Sequence, residues 1–145
     1  MTLEHDDRCV AYITRGDQLL VFEQIKYPEV GVQVTGGHPK ENESLESAVL
    51  REAEEESGLT GFKKVDYLGW KEYDFSDQGY GIERRHFYHL KFEGETPLSW
   101  VHTEKDQSIG PDTELDFLLY WVPINKADLF WDHGAMLHKI REKVG

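Results

Sequence analysis

The chain of 145 residues contains a single cysteine, Cys9, and no long apolar run. One thiol excludes an intrachain disulfide and fits a reducing compartment, so we expect a cytoplasmic protein. No stretch approaches the roughly 20 apolar residues that a membrane-spanning helix needs. The N-terminal residues MTLEHDDRC lack the basic and apolar regions of a signal peptide. These absences predict a protein without a membrane partner.

Positive charge is scarce as well, with 16 Lys and Arg against 28 Asp and Glu and a net charge of −12. A polyanion has no electrostatic reason to seek duplex nucleic acid or an anionic membrane. If the protein binds phosphate groups, local cations or a bound metal must overcome its own field. The length, and an apolar content of 39%, predict one globular domain over residues 1–145.

The pattern of apolar residues predicts an α/β fold with a mixed β-sheet and helices on its faces. We expect a hairpin around Gly16 and a helix from 44 to 57, followed by a closing helix at 135–143. Residues 93–111 form a long polar segment without a predicted strand, of a length typical of binding loops. The predicted strands are 8–15, 18–24, 31–35, 62–75, 83–92 and 114–123. Residues 62–75 form either one strand or a pair of strands interrupted near Gly69.

Four carboxylates crowd the end of the predicted central helix: Glu52, Glu54, Glu55 and Glu56. On a helical wheel Glu52 and Glu56 fall within the apolar stripe, Glu55 lies at its edge and Glu54 faces water. Buried carboxylates without partners are costly, so several together would take up protons or require a counter-charge. One Lys or Arg would serve one of them, whereas three on one patch match the oxygen ligands of Mg²⁺ or Mn²⁺.

The same segment carries a spaced motif. Gly37, Glu43, Arg51-Glu52-Ala53, Glu55-Glu56 and Gly58-Leu59 reproduce the pattern GX5EX7REUXEEXGU, in which U is aliphatic. This is the complete Nudix box, and the chain resembles the Nudix hydrolase family, MutT-like proteins included. The resemblance implies an α/β/α sandwich and Mg²⁺- or Mn²⁺-dependent hydrolysis of a diphosphate linkage in a nucleotide-type substrate.

By matched position, the resemblance assigns roles inside the box. Glu52, Glu55 and Glu56 are the expected metal ligands, and one of them is a candidate base towards water. Arg51 is the expected partner that orients the box glutamates, including Glu43 at the start of the helix. Gly36 and Gly37 precede the helix, and we expect a positive φ there and contact with substrate.

Outside the box, the resemblance implies one more carboxylate before the last strand. Glu114 is the first candidate for that ligand or base and Glu104 the second, although either fits an ordinary loop charge. Arg85 is a candidate for binding a phosphate, and a surface ion pair explains it equally well. Tyr27, just upstream of the box, is a candidate for lining the substrate mouth.

Two positions depart from the usual family pattern, because Thr35 and Asn42 stand where proline and glycine are frequent. Neither is a ligand position, so the loop geometry rather than the chemistry is in question. A second function class is a non-catalytic Nudix-fold module that binds a nucleotide and regulates. The intact box carboxylates favour the enzyme. A nucleoside triphosphate and a nucleoside diphosphate derivative both remain open as substrates, as does a homodimer.

Overall fold

The computed structural model describes residues 5–105 and 114–144. Two α-helices, α1 (Leu45–Ser57) and α2 (Leu137–Val144), are joined by short 3-10 turns and strands. No helix in these ranges has the length and apolar character needed to cross a membrane. The strands are β1 (His5–Arg15), β2 (Gln18–Gln24), β3 (Gly36–Gly37), β4 (Lys63–Asp74), β5 (Ile82–Lys91), β6 (Ser99–Lys105) and β7 (Glu114–Pro123).

The strands form one seven-stranded sheet in the order β4-β5-β1-β2-β7-β6, and the short β3 pairs with β1. β1 and β5 are parallel, whereas the other pairs are antiparallel. The predicted hairpin joins β1 to β2 around Gly16, whose φ of 61° lies in the left-handed region that glycine tolerates. The mixed sheet predicted from the sequence is therefore confirmed.

Alternate residues of β1 face opposite layers, as the period of a strand requires. Cys9, Ala11 and Ile13 pack in the core beneath α1, whereas Val10 and Tyr12 pack in the core beneath α2. The two cores give the predicted α/β/α sandwich. The residues that α1 buries in its core are Ala48, Val49 and Ala53.

Two predicted elements differ from the structure. The polar segment 93–111 contains β6, an edge strand whose Val101 is 57% exposed, so it lacks the apolar pattern that identifies a strand; residues 106–111 lie outside the described ranges. The predicted strand 31–35 makes one isolated bridge, Gln33 to Phe22, because Gly31 leaves a 3-10 turn with φ 86°. Regular pairing begins only at Gly36.

Candidate active site

Helix α1 is held at both ends by local chemistry. The Ser44 hydroxyl accepts a hydrogen bond from the Ser47 N–H at 3.1 Å, which satisfies one free donor of the first turn. Gly58 ends the helix with φ 77° and returns its N–H to the Glu54 carbonyl. These caps determine where the helix begins and ends, and the buried Ala48, Val49 and Ala53 determine which face lies on the sheet.

Three carboxylates converge beside the end of α1. Oxygen atoms of Glu52, Glu55 and Glu104 lie within 4.8 Å of one another. Glu52 is half-buried, Glu55 is exposed at the rim, and Glu104 comes from β6. Three carboxylate oxygens at this spacing are the donor set of a hard divalent cation.

Glu56, the third box carboxylate predicted as a metal ligand, is not among these converging groups. Its side chain is 8% exposed, and its Oε1 accepts a hydrogen bond from the Gly36 N–H at 2.8 Å. Burial raises the pKa of the Glu56 carboxyl well above its usual value, and the nearby charges of Glu52 and Glu104 add to the effect. Burial also raises the pKa of Glu52, partly opposed by Arg51. Burial therefore disfavours the ionised forms of both Glu56 and Glu52.

Arg51 forms hydrogen bonds with three glutamates of the box. Its guanidinium donates to both carboxylate oxygens of Glu43, at 2.9 and 3.0 Å, and to Glu52 and Glu55, each at 3.0 Å. A further N–H donates to the His38 carbonyl at 3.1 Å. The bidentate pair lowers the pKa of Glu43 to about 2. This is the geometry that the orienting role expected of Arg51 requires.

Glycine is required at positions 36 and 37 for a reason other than the one expected. Neither Gly36 nor Gly37 has a positive φ, so the expectation for their backbone is wrong. A Cβ on Gly36 would stand 2.5 Å from the Cys9 carbonyl, and one on Gly37 would stand 2.5 Å from Oε1 of Glu52. Close approach is therefore what requires glycine here. Asn42, by contrast, has φ 64° and occupies the left-handed conformation that asparagine tolerates.

A cleft of about 330 Å³ opens beside these carboxylates. Its wall includes the predicted residues Gly36, Gly37, Glu52 and Glu56. It also includes residues that the sequence reasoning did not select as binding residues: Arg8, Phe22, Gln24, Gln33, Phe117 and His133. Arg8, Phe22, Gln24 and Phe117 lie on strands, whereas Gln33 and His133 lie outside the regular strands. Their positions depend on how the chain folds, and isolated residues carry no spacing signature.

Three predicted site residues lie elsewhere. Glu114, the first candidate for the extra carboxylate, is exposed at the start of β7 and is not among the converging carboxylates; the second candidate, Glu104, takes that place. Arg85 is 7% exposed, pairs with Glu83 at 2.6 Å and is absent from the cleft wall. Tyr27 is 47% exposed and is likewise absent from that wall.

Arg8 is the cation that the structure places in the cleft instead of Arg85. Its side chain forms no hydrogen bond or ion pair with any residue of the described ranges. Its charge nevertheless acts on Glu52 and Glu56, whose carboxyl pKa values it lowers in part. A guanidinium without a fixed partner is available to an anionic ligand.

Comparison with known proteins shows the family of this chain. The model of the NUDIX domain matches residues 4–140. The chain belongs to the Nudix family, and it is a Nudix-type hydrolase. No curated protein matches the chain, so Nudix relatives are compared through their structures.

Several solved structures share the Nudix fold at low identity. The E. coli dihydroneopterin triphosphate pyrophosphohydrolase aligns with a TM-score of 0.69 and 17% identity, covering 97% of this chain and 97% of that one. The NUDIX domain of Shewanella oneidensis NrtR, complexed with ADP ribose, gives 0.64 and 17%, covering 99% and 91%. A UDP-X diphosphatase gives 0.65 and 14%, covering 99% of this chain and 66% of that one. At these identities the likeness establishes the fold.

Proposed function

We propose that this Nudix protein is a Mg²⁺- or Mn²⁺-dependent hydrolase of a diphosphate linkage in a nucleotide-type substrate, a nucleoside triphosphate or a nucleoside diphosphate derivative. The observation that carries the proposal is the convergence of Glu52, Glu55 and Glu104 within 4.8 Å. Arg51 donates to Glu52 and Glu55 and is shared with Glu43.

The donor set fits a hard divalent cation, because carboxylate oxygens are its preferred ligands. Glu52, Glu55 and Glu104 would hold the ion, and Glu56 would support them from behind while the Gly36 N–H fixes its orientation. When bound, such an ion neutralises the diphosphate and lowers the pKa of water.

The chain's own residues supply the remaining requirements. Arg51 holds Glu52 and Glu55 in one arrangement, and Arg8 binds a phosphate of the substrate from the wall of the cleft. A carboxylate of the cluster, for which Glu104 replaces Glu114 as our first choice outside the box, accepts a proton from water. The water oxygen forms a bond to one phosphorus, the bridging P–O bond breaks in line with it, and the second phosphate leaves with that bridging oxygen.

The rest of the proposal concerns the protein in the cell. We take residues 1–145 as one domain in the cytoplasm, because a single buried thiol suits a reducing compartment. The partner that matters is the small nucleotide substrate. A homodimer stays a prediction, to be checked by light scattering.

A turnover screen tests the proposal. Nucleoside triphosphates, nucleotide sugars, dinucleotides and dinucleoside polyphosphates are incubated with Mg²⁺ or Mn²⁺, and products are identified by chromatography. We expect hydrolysis of at least one class, lost in Glu55→Gln and retained in Glu54→Gln, an exposed neighbour on the same helix. Metal-dependent binding of these compounds without turnover by any of them would contradict the enzyme and favour the binding module.

A further inference from the structure

The carboxylate cluster is assembled from two elements that are far apart in the sequence. Glu52 and Glu55 belong to helix α1, whereas Glu104 belongs to β6. β6 is the terminal strand of the sheet, and within the described ranges it pairs with β7 alone. A strand at the edge of a sheet is held by backbone pairing on one side only. The position of Glu104 relative to the helix therefore depends on the contacts that β6 makes with α1.

Three side chains of β6 face the layer that contains α1. Trp100, His102 and Glu104 alternate along the strand with exposed residues, and each pairs with a residue of β7 that packs in or against the core beneath α1. These partners are, in the same order, Leu119, Phe117 and Leu115. Because directly opposite residues of paired strands share one face of a sheet, the strand presents all three side chains to the helix in one row.

Trp100 joins β6 to the last residue of α1. Its indole Nε1–H donates to the Ser57 carbonyl at 2.9 Å. The end of a helix leaves its last carbonyls without partners inside the helix, and this hydrogen bond satisfies one of them. The indole ring also packs, partly buried, against the core beneath α1. A hydrogen bond is directional, so the contact determines where β6 lies along the helix as well as how close it comes.

His102 lies against the residue that ends the helix. A Cβ on Gly58 would stand 2.7 Å from Nδ1 of His102 and 3.0 Å from its Cε1. Glycine is therefore required at position 58 by the close approach of β6 as well as by its φ of 77°. Two residues further along the same face of β6, Glu104 reaches the helix carboxylates.

We infer that Trp100 and His102 are positioning residues for Glu104: they dock β6 on the end of α1 and thereby set the affinity of the carboxylate cluster for its divalent cation. The inference rests on the proposed function and deepens it, because this cluster is the metal site of that proposal. Neither side chain is among the converging carboxylates, so each acts through Glu104. Residues that orient a metal ligand from outside contribute about 10–100-fold to metal affinity.

Binding of Mn²⁺ alone tests the inference without substrate and without turnover. Free Mn²⁺ is measured by electron paramagnetic resonance during a titration of the protein. Trp100→Phe keeps an aromatic ring in the core and removes the donor to the Ser57 carbonyl, and we expect it to weaken Mn²⁺ binding about ten-fold. Trp121→Phe is the matched control, because that ring packs against the same core but its Nε1 donates to Thr96 at 2.9 Å. It should bind Mn²⁺ within about two-fold of the wild type.

A second background separates positioning from a general loss of structure. In Glu104→Gln the ligand through which Trp100 acts is already weakened, so adding Trp100→Phe should change the Mn²⁺ affinity by about two-fold or less. Thermal unfolding shows whether each variant is folded at the temperature of the titration. If Trp100→Phe unfolds, His102→Ala decides in its place, in the same two backgrounds and with the same expected loss. Its control is Val101→Ala, which shortens a side chain that is 57% exposed on the other face of β6.

Two results would overturn the inference: an Mn²⁺ affinity that the folded variant leaves unchanged, or an equal loss in the Glu104→Gln background. A wild type that does not bind Mn²⁺ would overturn it together with the metal site. Failure of the proposed function is a separate result. An Mn²⁺ affinity that depends on Trp100 through Glu104, in a protein that hydrolyses no substrate, leaves the positioning role standing and removes the enzyme. Hydrolysis lost in Glu55→Gln, with an Mn²⁺ affinity insensitive to Trp100→Phe, does the opposite.

Discussion

Gly37 lies where the backbone passes beside the carboxylate of Glu52, and Gly36 lies against the backbone of β1. An added methyl group would therefore meet different obstacles at the two positions. At Gly37 it meets the end of a movable side chain, 2.5 Å from Oε1 of Glu52. At Gly36 it meets the carbonyl of Cys9, also at 2.5 Å, which belongs to a paired strand. The clash at Gly37 displaces the side chain of a site residue, whereas the clash at Gly36 distorts the backbone of the sheet.

We predict that Gly37→Ala keeps its fold and loses activity, while Gly36→Ala loses stability. Displacing Glu52 should lower kcat by about 100-fold, the scale of other losses of catalytic positioning. Overpacking against Cys9 should reduce the free energy of unfolding by about 1–3 kcal/mol. Turnover and urea unfolding of both variants test this. Gly81→Ala is the matched control, because a Cβ there meets nothing within 4 Å. Equal loss of stability at Gly36 and Gly37 would contradict the distinction.

Sequence reasoning reached the residues whose spacing has meaning and missed those placed by register. Arg51 and Glu43 are at fixed positions of one motif, and two hydrogen bonds join them in the structure. The identity of the carboxylate outside the box depends on how β6 is paired in the sheet. Glu104 pairs with Leu115 in the β6–β7 ladder, and this pairing cannot be derived from one sequence. His133 carries no spacing signal in the sequence, and only the folded chain brings it to the Val34 N–H and into the cleft wall.

At the scale of the element, helix α1 presents the box only if its first turn is fixed. The residues that it packs in the apolar core, Ala48, Val49 and Ala53, are small, so we expect its caps to contribute noticeably to its stability. Ser44 supplies one cap, and Glu43 adds a second contact by accepting from the Lys40 N–H at 2.8 Å. The start of α1 is thus determined locally, which is why its bounds could be predicted from the sequence.

We predict that Ser44→Ala lowers the free energy of unfolding by about 1 kcal/mol, because the Ser47 N–H loses its acceptor. Ser44→Asp, which keeps an acceptor at the same position, should restore most of the loss. Thermal and urea unfolding measure both changes. The control is Ser99→Ala, at an exposed position of the edge strand β6. A Ser44→Asp variant as unstable as Ser44→Ala would show that the hydroxyl does not act as a cap.

The edge strand β6 shows where element prediction fails. Its residues Ser99–Lys105 alternate between a core contact at Trp100 and an exposed Val101, with polar residues around them. β7, its partner, buries one face with Phe117 and Leu119, so it was predicted correctly. Apolar alternation identifies strands that bury a face, and an edge strand with few buried residues falls below that signal.

At the scale of the whole molecule, the protonation of His133, a residue of the cleft wall, affects the free energy of unfolding. Its pKa of about 4 in the folded protein is below the 6.5 of an unperturbed histidine, because burial and the charges of Arg85 and Arg8 outweigh that of Asp132. Between these values the unfolded chain binds more protons than the folded one. The stabilising contribution is therefore complete above about pH 6.5 and is lost as pH falls towards 4.

We predict that the difference in free energy of unfolding between the wild type and His133→Phe changes by about 3 kcal/mol between pH 7.5 and pH 4. The wild type should lose this much more than the variant on acidification, since the phenylalanine does not titrate. Urea unfolding of both proteins in EDTA measures the two profiles, and titrating carboxylates shared by both cancel in the difference. Parallel profiles over this range would mean that His133 is not held neutral by its surroundings.

The net charge of −12 and the carboxylate cluster together favour the binding of a cation. A cation that binds only the folded state raises stability by mass action, about 2.7 kcal/mol at a concentration 100 times its dissociation constant. We predict that Mg²⁺ or Mn²⁺ raises Tm of the wild type at constant ionic strength. Glu52→Gln should abolish the increase, because Glu52 is half-buried in the cluster. Glu54→Gln, an equal change of charge on the exposed face of α1, should retain it. A Tm increase of the same size in both variants would assign the effect to general screening of a polyanion and remove the metal site.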